Sequence, residues 1–390
     1  MIAFKLAYRN LIGAGLRTWL NVFVLSLSFV VIIWHKGVLN GWDRQARSDT
    51  INEEVGGGQY WHEDYDPYDP FTLTDAHSVL PDEIQSRISQ GQLTPILISQ
   101  ATIYPEGRIR SAILKGINPD QKILDIPTEH LNADIKEIPA LLGSRMAKSN
   151  NLQVGDFMTV RWRDADGIFD AEEAKIVHIF RTDVPAIDMG QMWIPLERLQ
   201  NMLQLPEEAT IVVAIKDYED TENFSNWEFQ DLSVLLAELD KTIQMKTVGG
   251  SILWIILLLL AWLAIFDTQV LSIFRRQKEI GTDIALGMTR GQVIRIFTIE
   301  GAMHAVLAAI LAAIYGTPLL YLQAKVGFTM PVGTDDFGIA ISETIFPYYS
   351  IGLIITTTLV VFITTTIISF LPTRRIAKMK PTDAIRGKIQ

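Results

Sequence analysis

Four blocks of mostly apolar residues constrain the fold of this 390-residue chain more than any other feature. A helix that crosses the hydrocarbon core of a membrane needs roughly 20 such residues, because each residue advances it by about 1.5 Å through a layer about 30 Å thick. None of the blocks contains an internal run of charge. We therefore predict an α-helical membrane protein with four transmembrane helices, at residues 18–39, 248–270, 301–322 and 348–370.

The charged residues outside these blocks predict the orientation of the chain. Lys and Arg favour the cytoplasmic side of short loops, and they gather before the first span, between the second and third spans, and after the fourth. The segment between the first two spans instead holds about 36 Asp and Glu against about 18 Lys and Arg. We predict that both termini are cytoplasmic, with a leader at 1–17, a loop at 271–300 and a tail at 371–390. On the other side we place residues 40–247 and the short loop 323–347, which contains Asp335 and Asp336.

Residues 40–247 are predicted to form one large extracytoplasmic α+β domain, inserted between the first and second transmembrane helices. About 200 residues are enough to bury a core, and short β-rich runs alternate with short helical runs. The predicted strands lie at 96–104, 111–117, 156–163, 174–181 and 209–216, and the predicted helices at 144–150 and 196–203. The acid-rich segment 60–70 lacks the ligand spacing of a calcium loop. We predict that it is a solvated acidic loop.

The end of this domain is predicted to be an amphipathic stalk helix at 227–246. Apolar residues recur there at steps of three and four among charged side chains, at Leu232, Leu235, Leu236, Leu239 and Ile243. Gly249 and Gly250 follow, directly before the second span, and each glycine lowers helix propensity by about 1 kcal/mol. Two interpretations stay open for this pair: a hinge between stalk and span, or close packing of helices at the membrane surface.

Several kinds of chemistry are excluded by the sequence. The chain has no cysteine, which removes disulfides, thiolate zinc sites and cysteine nucleophiles. It has no Gly-x-x-x-x-Gly-Lys-Ser/Thr phosphate loop, no His-Glu-x-x-His zinc helix and no Gly-x-Ser-x-Gly elbow. The formal net charge of −10 argues against a nucleic-acid partner, because phosphate binding requires a basic surface. We predict no catalytic residue, no metal site and no cofactor bound by this chain.

The segment between the second and third spans carries the most specific pattern, Arg276-Gln277-Lys278-Glu279-Ile280-Gly281-Thr282-Asp283-Ile284-Ala285-Leu286-Gly287. It predicts a short amphipathic helix on the cytoplasmic face. Ile280, Ile284 and Leu286 are expected to be available for docking into a groove of a partner. A helix that lies on lipid headgroups is the alternative that these residues leave open.

This segment resembles the Arg-x-x-Glu-Ile-Gly-x-x-x-Ala-x-Gly pattern of the MacB/FtsX-like ABC transporter permeases. Three further segments resemble the same superfamily: the leader around Arg9 and Arg17, the turn from Leu142 to Asp156, and the closing segment 371–386. The resemblance implies that residues 279–290 form a coupling helix that docks into a separate ATPase. The residues implied in ATPase coupling are Glu279, Ile280, Gly281, Ile284, Ala285, Leu286, Gly287 and Arg290.

The same resemblance implies a set of partners and a location. This chain would be a multi-pass membrane subunit of a complex in the bacterial cell inner membrane. A dimer of ABC ATPase subunits in that complex would use ATP and Mg. A second copy of the chain, or a related permease, would complete the complex within membrane lipid. ATP hydrolysis would drive movement of the outer domain by mechanotransmission, with no conduit through the spans.

Within the superfamily the chain resembles the LolC/LolE-type lipoprotein-releasing permeases. The segment Val38-Leu39-Asn40-Gly41-Trp42 is similar to the end of their first span, whereas the tail departs from theirs after Ala384. This branch implies release of lipoproteins from the outer leaflet, with a lipoprotein substrate and a periplasmic carrier as partners. The alternatives are a macrolide or peptide exporter permease, and an FtsX-like regulator of cell-wall hydrolases that transports nothing.

Overall fold

The computed structural model describes residues 16–329 and 344–374. These residues form two compact units: one comprises 16–43, 243–329 and 344–374, and the other comprises 44–242. The predicted leader lies outside the described residues except for Leu16 and Arg17, and so does the predicted tail beyond residue 374. Asp335 and Asp336, used to place the short acidic loop, also lie outside them.

Four helices among the described residues are long and apolar enough to cross a membrane. They are α1 (Leu16–Thr50), α7 (Ala237–Arg275), α9 (Arg290–Val326) and α10 (Ile351–Thr373). Each contains most or all of one of the four predicted spans. The first three exceed the roughly 20 residues that a bilayer requires, because helical structure continues into the flanking polar sequence.

The helical unit is held together by close approach of helices at small residues. On α9 these residues recur at steps of three and four and are all buried: Gly301, Ala305, Ala308, Ala312 and Gly316. A Cβ atom at Gly316 would lie 2.7 Å from Val30 of α1, which is too close for anything larger than glycine. Small residues let helix backbones approach within a membrane, where the hydrophobic effect gives no drive for helix association.

The second unit is built on a nine-stranded sheet with the order β11-β1-β10-β3-β4-β8-β5-β7-β6. Its strands are β1 (Gln59–His62), β3 (Leu93–Tyr104), β4 (Arg110–Ile117), β5 (Ile138–Gly143), β6 (Phe157–Arg163), β7 (Phe169–Phe180), β8 (Gln191–Pro195), β10 (Ile211–Ala214) and β11 (Trp227–Gln230). Two short strands, β2 (Ser78–Val79) and β9 (Glu208–Ala209), pair separately. A further short pair, β12 (Phe328–Thr329) and β13 (Thr344–Ile345), belongs to the helical unit.

Six of these strands close into a barrel, because β6 also pairs with the second half of β3. β3 is 12 residues long, so its first half can pair with β10 while its second half pairs with β6. Side chains from all six barrel strands, β3 to β8, meet in one buried cluster, which includes Leu114, Leu142, Val160, Ile176 and Ile194. The strict alternation of buried and exposed residues along β6 is what a strand with one face on such a core requires.

Five helices accompany the sheet: α2 (Asp82–Ser89), α3 (Ser144–Ser149), α4 (Pro185–Gly190), α5 (Leu196–Leu203) and α6 (Leu232–Leu235). Helix α5 matches its prediction at both ends, since Leu199, Met202 and Leu203 share a buried face at helical spacing. Strand β7 begins five residues before its prediction, and the strand predicted at 209–216 is divided between β9 and β10.

The prediction that the stalk helix begins at residue 227 is wrong. Trp227 is fully buried in strand β11, where it pairs with His62 of β1. The helical structure begins after Asp231, whose side chain accepts hydrogen bonds from the backbone N–H groups of Ser233 and Val234. An N-cap of this kind satisfies backbone donors that the first turn of a helix leaves open.

The prediction that residues 60–70 form a solvated loop is wrong for its first three residues. Tyr60, Trp61 and His62 belong to strand β1, and Tyr60 and His62 are buried. Tyr60 lies in an aromatic cluster with Tyr218, Phe224 and Phe229. Burial of these rings outweighs the acidic composition of the segment that follows.

Candidate functional site

The segment that connects α7 and α9 folds into a short helix, α8 (Gln277–Ala285). It ends in a tight turn at Gly287, whose φ of 105° is a conformation that glycine adopts without strain. Helix α9 then begins with a capping box, in which the Thr289 side chain accepts from the backbone N–H of Gln292 and the Gln292 side chain accepts from that of Thr289. The glycine at 287 and the capping box of Thr289 and Gln292 therefore define the turn between α8 and α9.

The apolar face of α8 packs inside its own unit. Ile280 is 1% exposed and shares a buried cluster with Ile273, Val293 and Phe297. Gly281 is also buried, and Ile284 is half-buried against the same cluster. The prediction that Ile280 is available for docking is therefore wrong, because its side chain anchors α8 to the flanking helices.

The opposite face of α8 and the turn after it form an exposed surface, which we call the α8 surface. Its members are all exposed: Lys278, Glu279, Thr282, Asp283, Ala285, Leu286, Gly287 and Arg290. Leu286 is 81% exposed, so one large apolar side chain projects from an otherwise polar surface. Five of the eight residues implied by the family resemblance lie here, at Glu279, Ala285, Leu286, Gly287 and Arg290.

Arg276, which precedes α8, connects this helix to the next one. Its Nε lies 2.9 Å from Glu279 Oε2, and its Nη1 lies 3.1 Å from Glu300 Oε2. The guanidinium group also lies over the ring of Phe297, 4.9 Å from its centre. In the sequence, Arg276 contributes to the orientation and begins the Arg-x-x-Glu-Ile-Gly pattern, whereas no role was predicted for Glu300. Glu300 lies directly before the predicted span 301–322. A carboxylate at the edge of the membrane requires a charged partner, and this requirement was the signal that could have predicted the ion pair.

The two glycines considered as a hinge lie within the uninterrupted helix α7. A Cβ atom at Gly250 would lie 2.4 Å from Cε1 of His35 and 3.2 Å from Cδ1 of Leu39, both on α1. A Cβ atom at Gly249 would have no atom within 4 Å. Gly250 therefore permits close packing of α7 on α1, and bending at either glycine stays a prediction.

A second group of ionisable side chains lies in the β-rich unit, around a π-helical turn at Ile51–Val55. Burial raises the pKa of Glu53 to about 7, with further contributions from the carboxylates of Asp49, Asp183 and Asp125, against a hydrogen bond from Thr182. Burial, together with Asp183, raises the pKa of Asp49 to about 6. Among residues 16–329 and 344–374, no group of three or more His, Asp or Glu side chains is arranged to hold a metal ion.

Residues 251–381 match the FtsX-like permease C-terminal family, a range that includes α8 and most of three long apolar helices. This match covers about a third of the chain and places Arg276, Glu300 and the α8 surface inside the family domain.

Two kinds of curated relative match the chain at low identity. The macrolide export ATP-binding/permease protein MacB of Vibrio parahaemolyticus is 25% identical, across 98% of this chain and 59% of its own length. The lipoprotein-releasing system transmembrane protein LolC of Xylella fastidiosa is 22% identical, across 75% of this chain and 76% of its own. The chain thus spans less than two thirds of the MacB relative.

Among solved structures, the extracellular domain of the noncanonical ABC-type transporter YknZ from Gram-positive bacteria covers 45% of this chain and 98% of its own. The sequence identity is 13% and the TM-score is 0.29, a value too low to establish a shared fold.

Proposed function

We propose that this chain is an ABC transporter permease of the MacB/FtsX/LolC-type superfamily, and that it docks a separate ATP-hydrolysing subunit through the α8 surface. The matches to the FtsX-like permease C-terminal family, to MacB and to LolC support the first part of this proposal. The observation that supports the docking is the position of Leu286. Its side chain is 81% exposed at the end of a helix whose other face is anchored by Ile280. A helix that is anchored on one face and carries a projecting apolar residue suits a groove in a partner protein.

The charges around Leu286 define the partner's chemistry. Glu279 and Asp283 lie on one side of the α8 surface, and Lys278 and Arg290 contribute positive charge. A groove with an apolar pocket and a mixed polar rim would complement this arrangement, as in ordinary protein interfaces. The ATPase dimer would hold ATP and Mg, and this chain would supply docking residues without catalytic ones.

We further propose that both termini and α8 are cytoplasmic, in a bacterial inner membrane, and that the β-rich unit is extracytoplasmic. The distribution of Lys and Arg supports this orientation. ATP-driven movement of α8 would then be conveyed to the outer unit by the helices themselves, in a complex that contains a second copy of this chain or a related permease.

For the transported substrate we propose lipoproteins, extracted from the outer leaflet and passed to a periplasmic carrier. Two LolC relatives support this proposal, as does the similarity of residues 38–42 to the end of the first span in that branch. Macrolide export is the second candidate, because the MacB relative aligns with 98% of this chain. Copurified lipoprotein supports the first proposal, and drug resistance conferred without lipoprotein binding supports the second.

The docking proposal is tested with Leu286→Glu in the full chain. Placing a carboxylate where an apolar side chain enters a groove should weaken ATPase binding at least tenfold, because the charge loses its hydration. The measurement is copurification in mild detergent, quantified by mass spectrometry. The matched control is Ile168→Glu, which changes another exposed apolar residue, in the turn before β7. Undiminished ATPase recovery with Leu286→Glu would contradict the proposal.

A further inference from the structure

A single guanidinium group contacts the helices on both sides of the turn between α8 and α9. Arg276 follows the last residue of α7 and is the N-cap position of α8. One face of its side chain lies against Phe297 of α9, and its donors reach Glu279 on α8 and Glu300 on α9. The planar fork of arginine can hold two carboxylates at fixed angles, which an ammonium group cannot do.

The two carboxylates differ in their surroundings. The Glu279 side chain is 67% exposed, whereas that of Glu300 is 7% exposed. Water screens an exposed ion pair, so the contact with Glu279 contributes little by itself. The contact with Glu300 is stronger, because a buried carboxylate has few alternatives to its charged partner. Arg276 is therefore tied more firmly to α9 than to α8.

Glu300 lies next to the point where three helices meet. A Cβ atom at the following residue, Gly301, would lie 2.2 Å from Ser369 Oγ of α10 and 3.1 Å from Gln269 Nε2 of α7. One turn further along α9, Nδ1 of His304 lies 3.0 Å from the carbonyl oxygen of Glu300. A displacement of α9 at Glu300 must therefore move α7 and α10, because no space separates them at Gly301.

The apolar contacts of α8 do not by themselves fix its position along α9. Ile280 and Ile284 hold it through an apolar cluster, and apolar contacts are non-directional. The turn at Gly287 tolerates changes in backbone angle, because glycine has access to most of φ/ψ space. Apolar packing keeps α8 attached, and the ion pair determines where along α9 it is held.

We propose that Arg276 is a positioning residue that locks α8 in register with α9, so that a force applied to α8 reaches the crossing of α7, α9 and α10. The transmission of force rests on the proposed docking of an ATPase. The register of α8 on α9 is a property of this chain alone, so it can be measured without an ATPase.

The register is tested on the full chain, in nanodiscs and without any partner. The chain has no cysteine, so Thr282→Cys on α8 and Arg295→Cys on α9 would carry the only two spin labels. Both residues are exposed. Arg276→Gln and Glu300→Gln should each broaden the distribution of distances between the labels, and the double variant should broaden it no further than the wider single variant. Arg275→Gln, which removes a neighbouring exposed charge, is the matched control and should leave the distribution unchanged.

Arg276→Lys covers the case in which the glutamine variants fail to fold. It keeps the charge beside Glu300 but replaces the fork by one ammonium group, so intermediate broadening is expected. Distributions that match the native one in Arg276→Lys and in every folded glutamine variant would overturn the proposal.

The transmission of force is tested with the ATPase present. The measured quantities are the increase in the ATPase's hydrolysis rate when this chain is added, and the affinity of this chain for the ATPase. Arg276→Gln should lower that increase at least tenfold, and it should change the affinity less than about threefold because the α8 surface is kept. An equal loss of affinity and stimulation would overturn the positioning role. If Leu286→Glu leaves ATPase binding intact while the spin-label distances respond as stated, the docking proposal fails and the register remains.

Discussion

At the scale of single residues, Glu53 shows how burial changes the chemistry of an acidic domain. Its carboxylate accepts a hydrogen bond from Thr182 and is surrounded by Asp49, Asp125 and Asp183. The hydrogen bond favours the charged form, and burial and the neighbouring acids favour the neutral form more strongly. Glu53 is therefore partly protonated at neutral pH, unlike an exposed glutamate.

The pKa of Glu53 predicts that the β-rich unit loses stability as the pH rises. The folded pKa is about 7, against an ordinary value of 4.5, so the folded state binds more protons than the unfolded state between these values. Stability then falls as the pH rises through this window, and Asp49 adds to the fall between 3.8 and about 6. The effect is complete roughly one pH unit above the folded pKa of about 7.

Glu53→Gln tests this prediction, because glutamine accepts the hydrogen bond without a charge. At pH 8 the variant should be more stable than the native chain by about 1 kcal/mol, after allowance for partial exposure of the site, and at pH 4.5 the two should be equal. Thermal unfolding followed by tryptophan fluorescence is the measurement. Glu83→Gln, at an exposed position in α2, is the control. Equal stability of Glu53→Gln and the native chain at pH 8 would refute the assignment.

At the scale of elements, the crossing of α7, α9 and α10 depends on Gly301. A methyl group there would meet Ser369 Oγ and Cβ at 2.2 and 2.3 Å, so the helices would have to separate. Gly301→Ala should destabilise the helical unit by about 1 to 3 kcal/mol, the usual range for overpacking. Gly291→Ala is the matched control on the same helix, since no atom lies within 4 Å of its Cβ position.

Only Gly301→Ala is expected to lower the stability of the helical unit. Gly291→Ala should be neutral or stabilise by up to about 1 kcal/mol, because alanine has the higher helix propensity. Denaturant titration in detergent compares the two variants under the same conditions. A Gly301→Ala protein as stable as Gly291→Ala would show that α9 and α10 are not in close contact at this position.

Elements with strong local signals could be predicted from the sequence, and those defined by distant partners could not. The apolar blocks and α5 follow from length and periodicity. Strand β11 was missed because its partner β1 lies more than 160 residues earlier in the chain, although Asp231 offered a recognisable cap. The ion pair of Arg276 and Glu300 was missed because no pattern connects residues 24 positions apart.

In the candidate site, too, the local helix could be predicted from the sequence and the partners of its side chains could not. The motif at 276–287 contains the segment that folds into α8, and the prediction of a short amphipathic helix there is confirmed. The role of this segment in docking stays a prediction. Periodicity does not tell whether an apolar face packs on its own chain or on a partner, so Ile280 was assigned to the wrong side. Leu286 lies beyond the last residue of α8 and projects outward because the helix ends before it.

At the scale of the whole molecule, the chain combines a helical unit, most of whose residues match the FtsX-like permease C-terminal family, with an acidic β-rich unit. The α8 surface lies within the matched range and presents Leu286 beside a mixed set of charges. We propose that ATP-driven work enters at this surface and reaches the other unit through the long helices α1 and α7. The central claim is that α8 binds an ATP-hydrolysing protein.

Photo-crosslinking from position 286 tests that claim most directly. The full chain carries p-benzoylphenylalanine in place of Leu286 in one sample and in place of Ile280 in another, in native membranes. We expect position 286 to crosslink to an ATP-hydrolysing subunit, and position 280, which is buried, to crosslink only within this chain. Crosslinking of position 286 to lipid alone, with no ATP-hydrolysing protein captured, would show that α8 lies on the membrane surface and does not dock an ATPase.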